Sequence, residues 1–215
     1  MFDLVLFDYD GTTLDSDGML VATFIELYRK YRPDYVATIE HMMTFSGPPI
    51  KETLLREFPD VPYEIIYNDF KRISHDNYVG HAHLYPYVED LIIELRSRGI
   101  KVGLVTSKLR GMTDYTFSLF GIEGYFDISL CGDEVNKTKP DPEGILKVLE
   151  HFDIKDKEKV LYIGDNNIDY LTARNAGVKF AIVDWSIRKD TLSGKPDYII
   201  TSFDRFFKEV ENEEN

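Results

Sequence analysis

The sequence predicts an α/β protein with a parallel sheet, interrupted near its start by an all-helical insertion. Three observations predict it. Short, continuously apolar runs recur along the chain, and amphipathic helical stripes lie between them. A stretch of about 70 residues after the first run carries helical stripes alone, too long for an ordinary connection.

The first run, Leu4–Phe7, is apolar at every position, as a strand covered on both faces must be. Leu20, Phe24, Leu27, Tyr28 and Tyr31 then mark one helical stripe. Ile50, Leu54 and Phe58 mark a second, and Tyr63, Ile66, Tyr67, Phe70, Ile73 and Asn77 a third. No strand pattern interrupts them. Residues 14–84 therefore read as a helical cap domain of four-helix type, set between core segments 1–13 and 85–215. Hinges are expected near Asp15–Gly18 and Gly80–Pro86. The core resumes with Val88, Leu91, Ile92 and Leu95 at helical spacing, stopped by Gly99. Strands are expected at Val102–Val105, Val160–Ile163 and Phe180–Val183, with weaker candidates at Phe126–Leu130 and Tyr198–Ile200. Helices are expected over 110–120, 142–152 and 167–176. Strands alternating with helices form right-handed βαβ units, hence a three-layer, Rossmann-like core.

Composition narrows the function. The 215 residues carry 25 basic and 38 acidic side chains, 25 − 38 = −13. That charge argues against nucleic-acid and anionic-membrane partners. The hydrophobic fraction of 43% excludes disorder as the main state. No apolar run reaches the ~20 residues of a membrane span. Cys131 is the single cysteine, and the chain opens directly on a strand-like run, so a reducing cytoplasmic location is the simplest expectation. A monomer is expected by default, because a cap domain would itself cover a site. The acidic end from Glu209 reads as a frayed, solvated tail.

Four segments carry chemistry. Asp8-Tyr9-Asp10-Gly11-Thr12 follows the first strand, where ligands of open parallel sheets sit. Two aspartates at i and i+2 suit a centre where a cation and a phosphate neutralise them, and Gly11 permits a sharp turn. Gly164-Asp165-Asn166-Asn167-Ile168-Asp169 follows another strand. Asp169 lies one turn into the next helix and faces the same side as Asp165, and hard carboxylate oxygens suit Mg²⁺. Thr106-Ser107-Lys108 offers a hydroxyl and free N–H groups for a phosphate. Lys139 stands in a proline-fixed loop, Lys139-Pro140-Asp141-Pro142. Each also has a plain reading: an Asp-rich turn, a helix start capped by Asp165, an N-cap, a solvated lysine. Together, at strand ends in this order, they form the set that phosphoryl transfer through an aspartate requires.

With these residues in this order, the chain resembles the haloacid dehalogenase-like hydrolase superfamily, in its phosphatase branch with a helical cap. The likeness spans essentially the whole chain, and is nearest to phosphoglycolate phosphatase-like enzymes and cytosolic pyrophosphatases. The segment Ser46–Leu54 resembles their substrate-specificity loop. The resemblance implies that Asp8 is a nucleophile forming an aspartyl-phosphate, and that Asp10 is the acid, then the base. Thr106 and the Ser107 backbone would hold phosphoryl oxygens, and Lys139 would balance charge. Asp8, the Asp10 carbonyl, Asp165 and Asp169 would hold Mg²⁺. Gly47 and Lys51 would meet the substrate, a small phosphorylated metabolite. Dehalogenases lack an acid at the place of Asp10, so the implied substrate is a phosphate ester or anhydride. A sugar-phosphate mutase, with His41 or Lys51 as the cap acid or base, and a catalytically silent phosphate-binding module are the alternatives. The chain departs from its relatives at Tyr87, where glycine is usual, at Ser107, often asparagine, and at Asn166-Asn167, where Ser or Thr is common. Lesser candidates are Arg56 and Arg110, and His75, His81 and His83, whose spacing without a nearby cysteine does not favour zinc. Trp185 reads as packing.

Overall fold

The computed structural model describes residues 1–46 and 50–211. Along them run β1 (Leu4–Phe7), β2 (Leu14–Asp15), α1 (Asp17–Tyr31), α2 (Ile39–Met43), α3 (Ile50–Glu57) and α4 (Tyr63–His81). There follow β3 (His83–Leu84), α5 (Val88–Ser97), β4 (Lys101–Val105), α6 (Arg110–Phe120), β5 (Ile128–Leu130) and α7 (Glu143–His151). The chain ends with β6 (Val160–Gly164), α8 (Asn167–Ala176), β7 (Lys179–Val183), β8 (Tyr198–Ile200) and α9 (Phe206–Glu211). Two compact units result, one of Met1–Thr13 with Leu84–Asn215 and one of Leu14–His83.

The first unit is the Rossmann-like α/β core the sequence predicts. Its sheet has the order β5-β4-β1-β6-β7-β8, and every pairing is parallel. β1 is central and fully buried at all four positions, which is why its sequence is unbroken by polar residues. The chain lays β4 and β5 to one side of β1 and β6, β7 and β8 to the other. The order reverses beside β1, and a ligand crevice opens at such a point, beyond the strands' carboxyl ends. Ile145, Val148 and Leu149 of α7 and Ala173 and Ala176 of α8 pack one face against Leu4, Leu6, Tyr162 and Phe180. On α5, Val88, Leu91, Ile92 and Leu95 are buried, the stripe expected from their spacing. β5 starts two residues later than expected. The Asp127 carboxylate accepts the Val102 N–H at 2.9 Å and so holds the entry to the strand with a side chain. Tyr87, at the start of α5, has φ +65°, the left-handed region that accounts for the glycine usual in relatives.

The second unit is helical. α1 buries Leu20, Phe24, Leu27 and Tyr28 with Met42, Phe45, Leu54, Phe58, Ile66 and Ile73. The Phe24 ring lies 4.6 Å from that of Phe45 and 6.2 Å from that of Phe58, so the aromatic stripes fill this unit's own core. Two features have no counterpart in the sequence reading. α2 buries Met42 alone and is too short for a periodicity. β2 and β3 pair as a ribbon of two residues each. Within α4, Val79 and Gly80 are non-helical, Gly80 at φ +85°. No helix among the described residues is long and apolar enough to cross a membrane. The frayed tail expected from Glu209 is not seen at residues 209–211: α9 continues to Glu211, Val210 is buried, and Glu209 accepts the Thr201 N–H at 3.0 Å. Residues 212–215 lie outside the described residues.

Candidate active site

The site is built on the ends of β1, β4 and β6 within the core. The Asp8 N–H donates to the Ile163 carbonyl at 2.8 Å, tying the exit of β1 to β6. Tyr9 turns inward, fully buried, and its hydroxyl donates to Thr116 Oγ1 at 3.0 Å. The strand's alternation thus continues past its end, which gives Asp8 and Asp10 a common side and explains their spacing. Gly11 has φ +84°, and a Cβ there would lie 2.6 Å from Asp165 Oδ2. Both facts demand glycine. Gly11→Ala is expected to lose about 1–2 kcal/mol of stability and to weaken divalent-cation binding. Thermal melting and a Mg²⁺ titration of the variant check this.

Asp8, Asp165 and Asp169 are all buried, and one oxygen from each lies within 4.8 Å of the others. Asp169 reaches the cluster from the first turn of α8, which Asn166 caps by accepting from Ile168 N at 2.7 Å and Asp169 N at 3.2 Å. The cap is therefore Asn166 and not Asp165, and this leaves the Asp165 carboxylate for the cluster. Lys139 contacts two of the three. Its ammonium donates to Asp8 Oδ1 at 2.6 Å, to Asp169 Oδ1 at 2.7 Å and to the Tyr162 hydroxyl at 3.0 Å. The loop with two prolines thus holds a buried lysine, not a solvated one. The Asp10 carboxylate stands outside this cluster and accepts from Lys108 Nζ through both oxygens, at 2.8 and 2.9 Å. Thr106 is buried at the end of β4, its N–H donating to Leu130 O and its Oγ1 accepting from Lys108 N at 3.1 Å. Ser107 beside it is exposed.

Burial, and then the Asp169 carboxylate, push the Asp8 acid well above the usual carboxylate range, against the pull of Lys139. Burial and Asp169 likewise raise Asp165 to about 7. Burial opposes the Lys139 charge, but Asp169 and Asp8 outweigh it and hold the ammonium well above its ordinary value. The sign for Asp165 follows. An acid raised by folding binds more protons in the folded than in the unfolded chain, between its unfolded value near ~3.9 and about 7. In chelator, stability is therefore expected to fall as pH rises through that window. Mg²⁺ affinity has the opposite trend, because the cation needs the ionised form. It is expected to be about tenfold higher at pH 8 than at pH 6. Calorimetric titrations and melting curves at the two pH values check both.

Three site residues have no individual role in the sequence reading. Tyr162 lies inside an apolar strand, yet its hydroxyl meets Lys139 and lies 2.9 Å from the Val105 carbonyl. Lys108 closes the strand-end triplet Thr106-Ser107-Lys108, and no local pattern pairs it with Asp10. Arg188, in the loop after β7, donates to Asp165 Oδ2 at 3.0 Å. A basic residue just past the strand Phe180–Val183 was the available signal. Trp185, expected as packing, also donates to the Gly11 carbonyl at 3.2 Å. Lys51 lies in α3 of the helical unit, exposed, with Nζ 5.2 Å from the Tyr63 ring centre. Gly47 lies outside the described residues.

Buried carboxylates that converge at the strand ends of a parallel sheet, beside the point where strand order reverses, suit an α/β enzyme. The chain belongs to the haloacid dehalogenase-like hydrolase family, whose model matches residues 5–183. It is a hydrolase of the phosphatase kind. It is 31% identical over 198 residues to the pyrophosphatase PpaX of Bacillus cereus (strain B4264), covering 91% of this chain and 90% of that one. Its fold is similar to that of a predicted phosphoglycolate phosphatase from Haemophilus somnus 129pt, with a TM-score of 0.82, 23% identity, and 96% and 97% of the two chains covered. It is also similar to that of CbbY from Rhodobacter sphaeroides, solved with xylulose-(1,5)bisphosphate, with a TM-score of 0.78, 21% identity, and 94% and 95% covered.

Proposed function

We propose that the protein hydrolyses a small phosphate ester or anhydride through an aspartyl-phosphate on Asp8, with Mg²⁺ as cofactor. The observation that carries this reading is the ammonium of Lys139, buried between Asp8 and Asp169 at 2.6 and 2.7 Å. A carboxylate that attacks a phosphate dianion needs positive charge at that place. In this reading an Asp8 oxygen attacks phosphorus, and Asp10 gives a proton to the departing oxygen. Asp10 then takes a proton from water as that water attacks the aspartyl-phosphate, which releases phosphate and restores Asp8. The Thr106 hydroxyl and the Ser107 backbone hold phosphoryl oxygens, and Lys139 offsets their charge.

The donor set suits a hard divalent cation: three buried carboxylates converge, with two cationic side chains against them. Asp8, the Asp10 carbonyl and Asp165 would hold it, with Asp169 in support. Bound there, it supplies charge that further offsets repulsion between carboxylate and phosphate. The helical unit, Lys51 included, is proposed to select the substrate. The likeness to PpaX makes inorganic pyrophosphate the first compound to test. Phosphate release from pyrophosphate, phosphoglycolate and sugar phosphates, with Mg²⁺ and with chelator, tests the reading. Release that requires Mg²⁺ is expected. Release undiminished by chelator would overturn the cofactor assignment, and an isomerised sugar phosphate with little free phosphate would overturn hydrolysis.

A further inference from the structure

We propose that Arg188 is a built-in counter-ion of the cation site, one that weakens divalent-cation binding to Asp165 and sustains the fold when the cation is absent. The inference rests on the cation-site reading above. The guanidinium donates to Asp165 Oδ2 at 3.0 Å, with the Arg188 side chain 13% exposed and that of Asp165 2% exposed. Charges of opposite sign this close and this buried are screened little by salt.

The charge count gives the sign. Asp8, Asp165 and Asp169 form the cluster, and Lys139 and Arg188 contact it. Fully ionised, the five side chains sum to −1, and a divalent cation takes the sum to +1. With Arg188 neutral, the five sum to −2 and the same cation brings them to zero. The arginine therefore repels the incoming cation and competes with it for Asp165. It also lowers the mutual repulsion of three carboxylates that burial has already made costly.

The loop is also held by contacts outside the Asp165–Arg188 pair. The Ser186 hydroxyl donates to the Asp165 carbonyl at 2.5 Å and accepts the Arg188 N–H at 3.0 Å. The Arg188 carbonyl accepts from Thr191 Oγ1 at 2.6 Å, and Lys189 Nζ meets Asp184 O at 2.9 Å. Trp185 ties the same loop to Gly11.

The test is calorimetric titration of Mg²⁺ and of Mn²⁺ into full-length protein without substrate, for the native chain and for Arg188→Gln, Arg188→Met and Arg188→Lys. The neutral variants are expected to bind about tenfold more tightly, and the lysine variant close to the native value. In chelator at pH 8 the neutral variants are expected to melt lower than the native chain, and saturating Mg²⁺ is expected to raise their melting temperature by a larger increment. Unchanged or weaker cation affinity in a folded neutral variant would overturn the proposal. Asp165→Asn keeps the two readings apart. If it abolishes cation binding while the native protein, loaded with Mg²⁺, turns over no phosphate compound, the functional reading fails and the counter-ion stands. If it leaves cation binding intact, the cation site is elsewhere and the counter-ion falls with it.

Discussion

Asp8→Asn is expected to reduce phosphate release at least about 1,000-fold while the protein remains folded. The amide is nearly isosteric with the carboxylate but cannot attack phosphorus. It can still accept from Lys139, whose ammonium lies 2.6 Å from Asp8 Oδ1. The substitution removes a charge that burial and Asp169 already disfavour. The melting temperature in chelator is therefore expected to hold or to rise. Steady-state kinetics with the best substrate, beside melting curves, check both parts. A variant that retains a tenth of native turnover would remove Asp8 from the chemistry.

Lys139→Met is expected to damage both stability and turnover. It leaves Asp8 and Asp169 buried without the ammonium that touches both. Removing one partner of a buried ion pair costs about 3–5 kcal/mol, which in a chain of this size corresponds to roughly 10 °C in melting temperature. Turnover is expected to fall at least about 100-fold, because the charge facing the phosphoryl group is lost. The stability deficit has a direction in pH. The orphaned carboxylates can take up protons in acid, and Asp8 is already held well above the usual range. The deficit is therefore expected to shrink as pH falls from 8 toward 5. Denaturant unfolding of native and variant protein at both pH values measures it. A deficit independent of pH would mean that lost packing, not unpaired charge, is the cause.

These two residues also show how far the sequence alone reaches. Leu4–Phe7 and Val160–Ile163 were legible as strands because burial on both faces leaves no polar position. Asp8 and Asp10 were legible because their spacing is that of a strand side continued into a loop. Lys139 could be singled out by its flanking prolines, but its burial between two acids depends on where β1 and α8 meet, which no local pattern encodes. Tyr162 was hidden for a related reason. In a strand its ring reads as core, and only the register of β6 against β1 brings its hydroxyl to Lys139. The pairs Asp10–Lys108 and Asp165–Arg188 join residues 98 and 23 positions apart. Sequence marks the acids in both by motif and leaves their partners among many surface-like basic residues. Short elements escape in the same way: α2 and the β2–β3 ribbon have too few residues to show a period.

The central claim is that the phosphoryl group passes through Asp8. Acid quenching of the enzyme in the first turnovers with Mg²⁺ and its best substrate, followed by peptide mass spectrometry, tests it directly. A phosphoryl group on the peptide that contains Asp8, transient in the native protein and missing in Asp8→Asn, is the expected result. Rapid hydrolysis with no phosphoryl group on that peptide at any quench time, joined to turnover retained in Asp8→Asn, would contradict the account.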